Sequence, residues 1–346
     1  MKFIDTVFTK LKRHPKRVVF PEGTEPRVLG AAARFVRLKL GAPIVLGKRA
    51  DIERVAEEQK VSLDHIGIID PATAGELPTF VKRLEVLQRY RDLGEKDARE
   101  LISRPDYFAA MMVQYGQADA LVTGASETKS SALRPLIQLI KPLPDITSIS
   151  SCTMLDLSNK RYGLRGVMLF GDCAVIPDPT VQQLAAIAVQ TGTICRQLTG
   201  NKPRIALLSF TTKSGGRLAS PAKVAAAAAL ARKLADDAMI EMEIEGEMQA
   251  DTALLPDLAE RKASGSLVAG RANVLIFPDL NAGNIGLKLV QHLAGAETYG
   301  QILLGLSRPC AELSRGATED EILGVAAILG LQAIEYRNLY PSDFPE

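Results

Sequence analysis

The sequence predicts an α/β architecture in two domains. Short β-branched runs alternate with longer helical patterns along nearly the whole chain. Several strand candidates are continuous apolar runs, as expected of parallel strands covered on both faces and joined by right-handed crossovers. Dividing 346 residues by a usual domain length of ~150 gives about two domains.

Each element follows from local pattern. Strands are expected at Val18–Phe20, Ile44–Leu46, Ile66–Ile69, Ala120–Thr123, Ile146–Thr153, Gly166–Phe170, Ile205–Ser209, Val274–Phe277 and Ile302–Leu304. Helices are expected at Arg27–Leu40, Leu77–Tyr90, Pro105–Tyr115, Leu133–Ile140, Val181–Leu198, Pro221–Ala235, Gly283–Leu293 and Glu319–Tyr336. The first helix, Met1–Arg13, places Phe3, Val7, Phe8 and Leu11 at helical spacing and is expected to pack on the body. The alanine-rich stretch 222–235 is a strong helix former, with Ser220 and Pro221 read as its N-cap and first helical residue. No Gly-, Ser- or Pro-rich linker separates the halves, so several chain crossings are expected, with the cleft between the domains as the default site.

Composition excludes several classes. Hydrophobic residues at 47% and charged residues at 24% are those of a globular protein, not a disordered one. Lys+Arg minus Asp+Glu is 42 − 40 = +2, which argues against a dedicated nucleic-acid or membrane-surface binder. Aromatics at 5% and the absence of Trp disfavour base-stacking platforms. Cys152, Cys173, Cys195 and Cys310 show no C-x-x-C spacing, which fits a reducing cytoplasm. The three histidines form no H-x-x-x-H pattern, and no metal site is expected. Charges interrupt any apolar core in the first residues, so they do not read as a secretory signal. The longest apolar run, Ile322–Leu331, is about ten residues against the ~18 a membrane span needs.

In open α/β sheets ligands bind beyond the carboxyl ends of strands, so the post-strand segments carry the functional reading. Four stand out. Ser209-Phe210-Thr211-Thr212-Lys213-Ser214-Gly215-Gly216 is dense in hydroxyls and glycine N–H groups around one lysine, a composition suited to an anion or to a solvated loop; it lacks the P-loop spacing. Phe277 to Ile285 runs into a helix start at Gly283-Asn284, where free N–H groups would meet an anion; Asn281 or Asn284 also fits an N-cap. Leu313-Ser314-Arg315-Gly316-Ala317-Thr318-Glu319-Asp320-Glu321 offers a guanidinium fork, with Glu321 either a base or the partner of Thr318 in a capping box. Gly124 to Pro135 places Arg134 beside a Gly/Ser loop. Arg, Lys, Ser and glycine N–H groups recur without a metal cluster, a G-x-G-x-x-G fingerprint or a Ser-His-Asp arrangement. A phosphate-bearing ligand fits, with chemistry run by positioning and electrostatics. Cys310 is the tempting nucleophile, but no histidine lies near it in sequence.

These residues resemble the phosphate acetyltransferase (phosphotransacetylase) family, to which phosphate butyryltransferase is closely related. The similarity runs through Val19-Phe20-Pro21-Glu22 with Arg27, Tyr107-Phe108, Ala118 to Ala125, Leu133-Arg134-Pro135, Ser150-Ser151, Phe170-Gly171-Asp172-Cys173, Ser209 to Lys213, Gly246 to Asp251, Lys262-Ala263, Phe277 to Asn284 and Leu313 to Gly316. The resemblance implies two doubly wound α/β domains of the isocitrate/isopropylmalate-dehydrogenase type with an interdomain cleft. On that reading residues 1–152 return through 305–346 to make one domain, and 153–304 make the other. It also implies a homodimer and reversible transfer of acetyl between coenzyme A and inorganic phosphate, by direct thiolate attack in a ternary complex. On the same resemblance no permanently bound cofactor is expected, and acetyl-CoA, acetyl phosphate and phosphate are the expected small-molecule substrates.

By position, the resemblance assigns Ser314 and Arg315 to the reacting carbonyl and phosphate, Arg134 to a further anion contact, and Arg89, or else Gln88 or Arg91, to coenzyme A. Lys213 and Asn284 would give phosphate donors, with Ser209, Thr211, Asn281 and Gly283 in the same two segments. The family's usual base is an Asp seven residues beyond the serine; here that position is Glu321, preceded by Asp320. Glu127 stands where a His is common, and Glu245-Gly246-Glu247 where Asp-Gly-Glu or Asp-Gly-Pro is usual. The alternatives are a butyryl- or propionyl-transferring relative, a non-catalytic acetyl-CoA-binding regulatory domain, and a metal-dependent decarboxylating dehydrogenase on the same fold.

Overall fold

The computed structural model of the protein describes residues 2–91, 97–144, 146, 148–213 and 218–339. In chain order its elements are α1 (Phe3–Leu11), β1 (Lys16–Phe20), α2 (Pro26–Arg37), β2 (Gly41–Leu46), α3 (Arg49–Gln59), β3 (Gly67–Ile69), α4 (Leu77–Arg91), α5 (Ala98–Ile102), α6 (Pro105–Gln114), β4 (Ala120–Thr123) and α7 (Lys129–Leu139). There follow β5 (Ser150–Asp156), β6 (Val167–Gly171), α8 (Val181–Thr199), β7 (Arg204–Leu208), α9 (Ala219–Asp237), β8 (Glu243–Met248), α10 (Ala250–Leu254), α11 (Pro256–Lys262), β9 (Val274–Ile276), α12 (Leu280–Leu293), β10 (Glu297–Leu304), β11 (Cys310–Glu312) and α13 (Glu319–Leu339). They form two compact units, residues 1–146 with 306–346 and residues 147–305.

In the first unit β3-β2-β1-β4-β11 pair in that order, all parallel. Val18, Val19 and Phe20 of β1 and all four residues of β4 are buried, which is why their sequence shows no polar alternation. Helix α13 packs against β1 and β4, and its Ile322, Val325, Ala326 and Leu329 are buried. Helix α1 buries Ile4, Val7 and Leu11, and the Leu11 side chain lies against Gly330 of α13. Because β1, β4 and β11 are parallel neighbours, the segments that follow them emerge at one end of the sheet.

In the second unit the order is β10-β5-β6-β9-β7-β8. The strands from β6 to β8 are parallel. Strand β5, however, runs antiparallel to both β6 and β10. This corrects the expectation of parallel strands: every residue of β5 is buried although the strand is antiparallel, so burial on two faces does not set strand direction. Helix α9 is capped at Leu218, which places Ser220 inside the helix and not at its cap. Its alanines 227, 228, 231 and 235 form the buried face. Residues of β6, β7 and β9 share one core with α10, α11 and Leu287 of α12.

Candidate functional site

In the first unit three post-strand segments meet around two side chains from the segment after β1. The Glu22 carboxylate accepts N–H donors from Gly124 and Ala125 (both 3.0 Å), Ser126 (2.7 Å) and Glu127 (3.1 Å), and the Ser126 hydroxyl at 2.9 Å. The N–H donors of the Gly/Ser loop after β4 are therefore already engaged by an internal carboxylate. Gly124 adopts φ +99° with the Leu313 carbonyl oxygen 2.8 Å from where a Cβ would sit, so both its backbone and its surroundings require glycine. The Arg27 guanidinium donates to the carbonyls of Ala125 (2.9 Å), Arg315 (2.9 Å) and Ala317 (2.7 Å), and through Nε to Glu25 at 2.8 Å. That bond to Glu25 raises the Arg27 pKa and lowers the Glu25 pKa.

Ser314 and Arg315 lie exposed on the loop between β11 and α13. The Arg315 guanidinium makes no hydrogen bond or ion pair with the described residues, although its backbone carbonyl is held. Glu321 sits in the first turn of α13, where its Oε2 accepts the Thr318 N–H at 2.7 Å while the Glu321 N–H reaches the Thr318 hydroxyl at 3.2 Å. Both halves of the capping box are thus formed. Asp320 and Glu319 pair with Arg34 at 2.7 and 3.0 Å. Cys310 on β11 is fully buried, and desolvation pushes its thiol well above the ordinary range, which leaves it a poor nucleophile.

Arg134 lies mid-way along α7, not near its start, because the helix begins at Lys129 with Thr128 as its cap. With Arg104, Tyr107, Ser130 and Ser131 it lines a cavity of about 240 Å³. Arg104 is paired with Asp106 at 2.6 Å and lies over the Tyr107 ring. The Tyr107 hydroxyl donates to Gln138 at 2.9 Å, and burial raises its pKa. Arg134 makes no hydrogen bond or ion pair with the described residues. Arg89 falls on α4, and its side chain lies outside the described residues, as does that of Arg91.

In the second unit Ser209, Thr211 and Lys213 follow β7, while Ser214-Gly215-Gly216 lie outside the described residues. The Ser209 hydroxyl oxygen is buried without a partner among the described residues. Thr211 bonds the buried Glu247 at 3.3 Å. Lys213, at φ +48°, pairs with Glu245 at 3.3 Å. Burial pushes Glu245 up, but the Ser266 hydroxyl, the Leu267 N–H and Lys213 together hold it below the ordinary carboxylate value.

Helix α12 opens at Leu280, three residues before the expected Gly283. Its cap is Asp279, whose carboxylate accepts the Ala282 N–H at 2.9 Å, and not Asn281 or Asn284. A carboxylate at this end opposes an incoming anion. Gly283 is a packing glycine: a Cβ there would lie 2.6 Å from the Asp172 carbonyl oxygen. Asn284 donates its side-chain amide to the Cys173 carbonyl at 3.1 Å, and Asn281 is exposed. The buried Asp172 accepts the Ser151 hydroxyl and the N–H groups of Ala174, Val175 and Ile176, which fixes the segment beside that amide.

Arg134 and Arg315 thus remain as unpaired cations, while Lys213, Asn284 and the helix and loop N–H groups are largely engaged within the fold. Sequence reading left Arg104, Ser130 and Ser131 without a role, and quoted Glu22, Arg27 and Tyr107 only as motif residues; arginine and serine beside a predicted helix start were the available signal. Among the described residues, no helix is long and apolar enough to cross a membrane.

Known proteins match nearly the whole chain. The chain is 40% identical over 333 residues to a phosphate acetyltransferase from Thermoanaerobacterium thermosaccharolyticum, covering 96% of this chain and 100% of that one. Its structure matches a phosphotransacetylase from Staphylococcus aureus with a TM-score of 0.86 at 34% identity, over 96% of this chain and 98% of the other. A 4-hydroxythreonine-4-phosphate dehydrogenase from Klebsiella pneumoniae shares the fold alone, with a TM-score of 0.52 at 14% identity over 92% of this chain and 98% of that one. Residues 2–329 match the model described as Phosphate acetyl/butaryl transferase, and the chain belongs to that family of acyltransferases.

Proposed function

We propose that this chain transfers acetyl reversibly between coenzyme A and inorganic phosphate, acting as a cytoplasmic homodimer with no resident cofactor. The observation that carries the reading is the pair of guanidinium groups, Arg315 beside Ser314 and Arg134 at a polar cavity, that make no hydrogen bond or ion pair with the described residues, whereas Arg27 and Lys213 are paired with Glu25 and Glu245. An arginine left without an internal partner is suited to a phosphate or a developing oxyanion.

In the direction of thioester synthesis, a coenzyme A thiol near pKa ~8.5 is only a few per cent ionised at neutral pH. A positioned carboxylate, Glu321, accepts its proton. The thiolate sulfur then attacks the carbonyl carbon of acetyl phosphate, forming C–S and moving the carbonyl electron pair onto oxygen. Ser314 and Arg315 stabilise that oxyanion without reorganisation. Collapse breaks the C–O bond and releases phosphate. Arg134 and the hydroxyls of Ser130 and Ser131 hold a phosphate group of either substrate, and Ser209, Thr211, Lys213, Asn281, Gly283, Asn284 and Arg89 complete the substrate-binding set. The butyryl reading differs by only about two methylenes in a pocket, worth a few kcal/mol at most.

Coenzyme A release from acetyl-, propionyl- and butyryl-CoA with phosphate or arsenate tests this. Acetyl-CoA is expected to give the highest kcat/KM. Arg315→Ala should lower kcat by about 10²–10³-fold, as loss of an oxyanion donor does, while Arg134→Ala should act mainly on KM. A chain that binds acetyl-CoA but releases no coenzyme A would overturn the reading in favour of a regulatory domain.

A further inference from the structure

The geometry points to Glu22 and Arg27 as a paired positioning device that couples the loop carrying Ser314 and Arg315 to the loop that precedes Arg134. The inference rests on the acetyl-transfer reading for its consequence, though not for its geometry. Glu22 and Arg27 both come from the segment after β1, the third of the five strands β3-β2-β1-β4-β11. Glu22 faces the loop after β4 and accepts five donors from residues 124–127. Two carboxylate oxygens offer about four lone-pair sites, so this group is saturated. Arg27 reaches the other way, to the carbonyls of Arg315 and Ala317 after β11.

The two side chains meet on one peptide segment. The Ala125 N–H is held by Glu22 and the Ala125 carbonyl by Arg27, at 3.0 and 2.9 Å. Four of the five N–H donors of Arg27 are engaged with backbone carbonyls or Glu25. Arg27 therefore has little left for substrate, unlike Arg134 and Arg315. A shift of the 124–127 turn moves the Ala125 carbonyl, and with it the guanidinium that fixes the backbone of Arg315. The ion pair with Glu25 sets the Arg27 Nε edge and leaves the two amino groups aimed at the carbonyls. Misplacement by about 1 Å of a group holding a reacting centre costs ~10²-fold in rate.

The test compares Glu22→Gln and Arg27→Lys with the unmodified chain. Glutamine keeps the size but turns an N–H₂ toward the amides of residues 124–127. Lysine keeps the charge but cannot bridge three carbonyls. Backbone hydrogen exchange needs no substrate: Glu22→Gln is expected to speed exchange ~10-fold or more not only at residues 124–127 but also at 314–317, and Arg27→Lys to do so at both loops. In the acetyl-CoA assay each variant should lose ~10²-fold in kcat, with the double variant little worse than the worse single one. Glu22→Asp should recover part of kcat, which a general loss of stability would not produce. Faster exchange confined to the mutated side, or kcat per folded enzyme unchanged in both variants, overturns the coupling. An unmodified chain that releases no coenzyme A overturns the acetyl-transfer reading instead, and the exchange measurement then decides the coupling alone.

Discussion

Glu321 holds the Thr318 N–H at 2.7 Å while standing at the position proposed for the base. The two jobs separate chemically, because a capping box accepts Gln as readily as Glu. Glu321→Gln should therefore leave the melting temperature unchanged and lower kcat by ~10²–10⁴-fold, the usual worth of a general base. Thr318→Ala should do the reverse, costing about 1 kcal/mol of stability with the chemistry kept. Calorimetry and initial rates on the two variants check this. Full kcat in Glu321→Gln would leave the carboxylate as a cap alone. Asp320 is no ready substitute, since Arg34 engages it at 2.7 Å.

At the scale of elements, Glu245 ties the edge strand β8 to two loops, through the Ser266 hydroxyl and Leu267 N–H at 2.8 Å each and Lys213 at 3.3 Å. Its folded pKa lies below the ordinary 4.5. The stabilisation is therefore present above that ordinary value and is lost as pH falls through the depressed one. Glu245→Gln should lower the melting temperature at neutral pH and flatten its decline in acid, as followed by calorimetry across that range. An unchanged acid limb would remove Glu245 as a contributor. The same strand shows what sequence conceals. Glu243, Glu245 and Glu247 alternate with Ile244, Gly246 and Met248, so β8 reads as polar although Glu247 is buried. Strand β11, Cys310-Ala311-Glu312, carries no β-branched residue and ends in a charge, so it shows no strand pattern although it is buried. By contrast Val18–Phe20 of β1, Ala120–Val122 of β4 and all of β9 were legible because burial on both faces made them unbroken apolar runs. The first turn of α7, Lys129-Ser130-Ser131, is polar and carries no apolar period, so the sequence placed the helix start a turn too late. The loops holding the candidate site were legible from their place after strands. Which of their donors are occupied was not, since Glu22 lies 102 residues from Gly124 and Arg27 lies 288 from Arg315.

At the scale of the whole molecule, α12 offers the face on which the proposed homodimer can be tested. Gly283 and Leu287 bury one face of the helix. Ile285, Leu289 and Leu293 recur at every fourth position and are 58%, 52% and 82% exposed. Side chains four apart line one strip of a helix surface, so these three form a continuous apolar stripe. Stripes of this kind on soluble proteins mark contact surfaces. A two-fold axis lets one stripe meet itself, which is the commonest way such a surface closes. Full burial of each such side chain is worth roughly 1.5–3 kcal/mol, so both copies together supply several kcal/mol against the entropy of association. A charge at the centre of the stripe reverses that balance, because it would be buried without a partner. Light scattering should give twice the chain mass for the unmodified protein and a single chain mass for Leu289→Glu, with the helical circular dichroism signal retained. A dimer that survives Leu289→Glu would move the interface to another face, and a monomeric unmodified protein would remove the homodimer altogether.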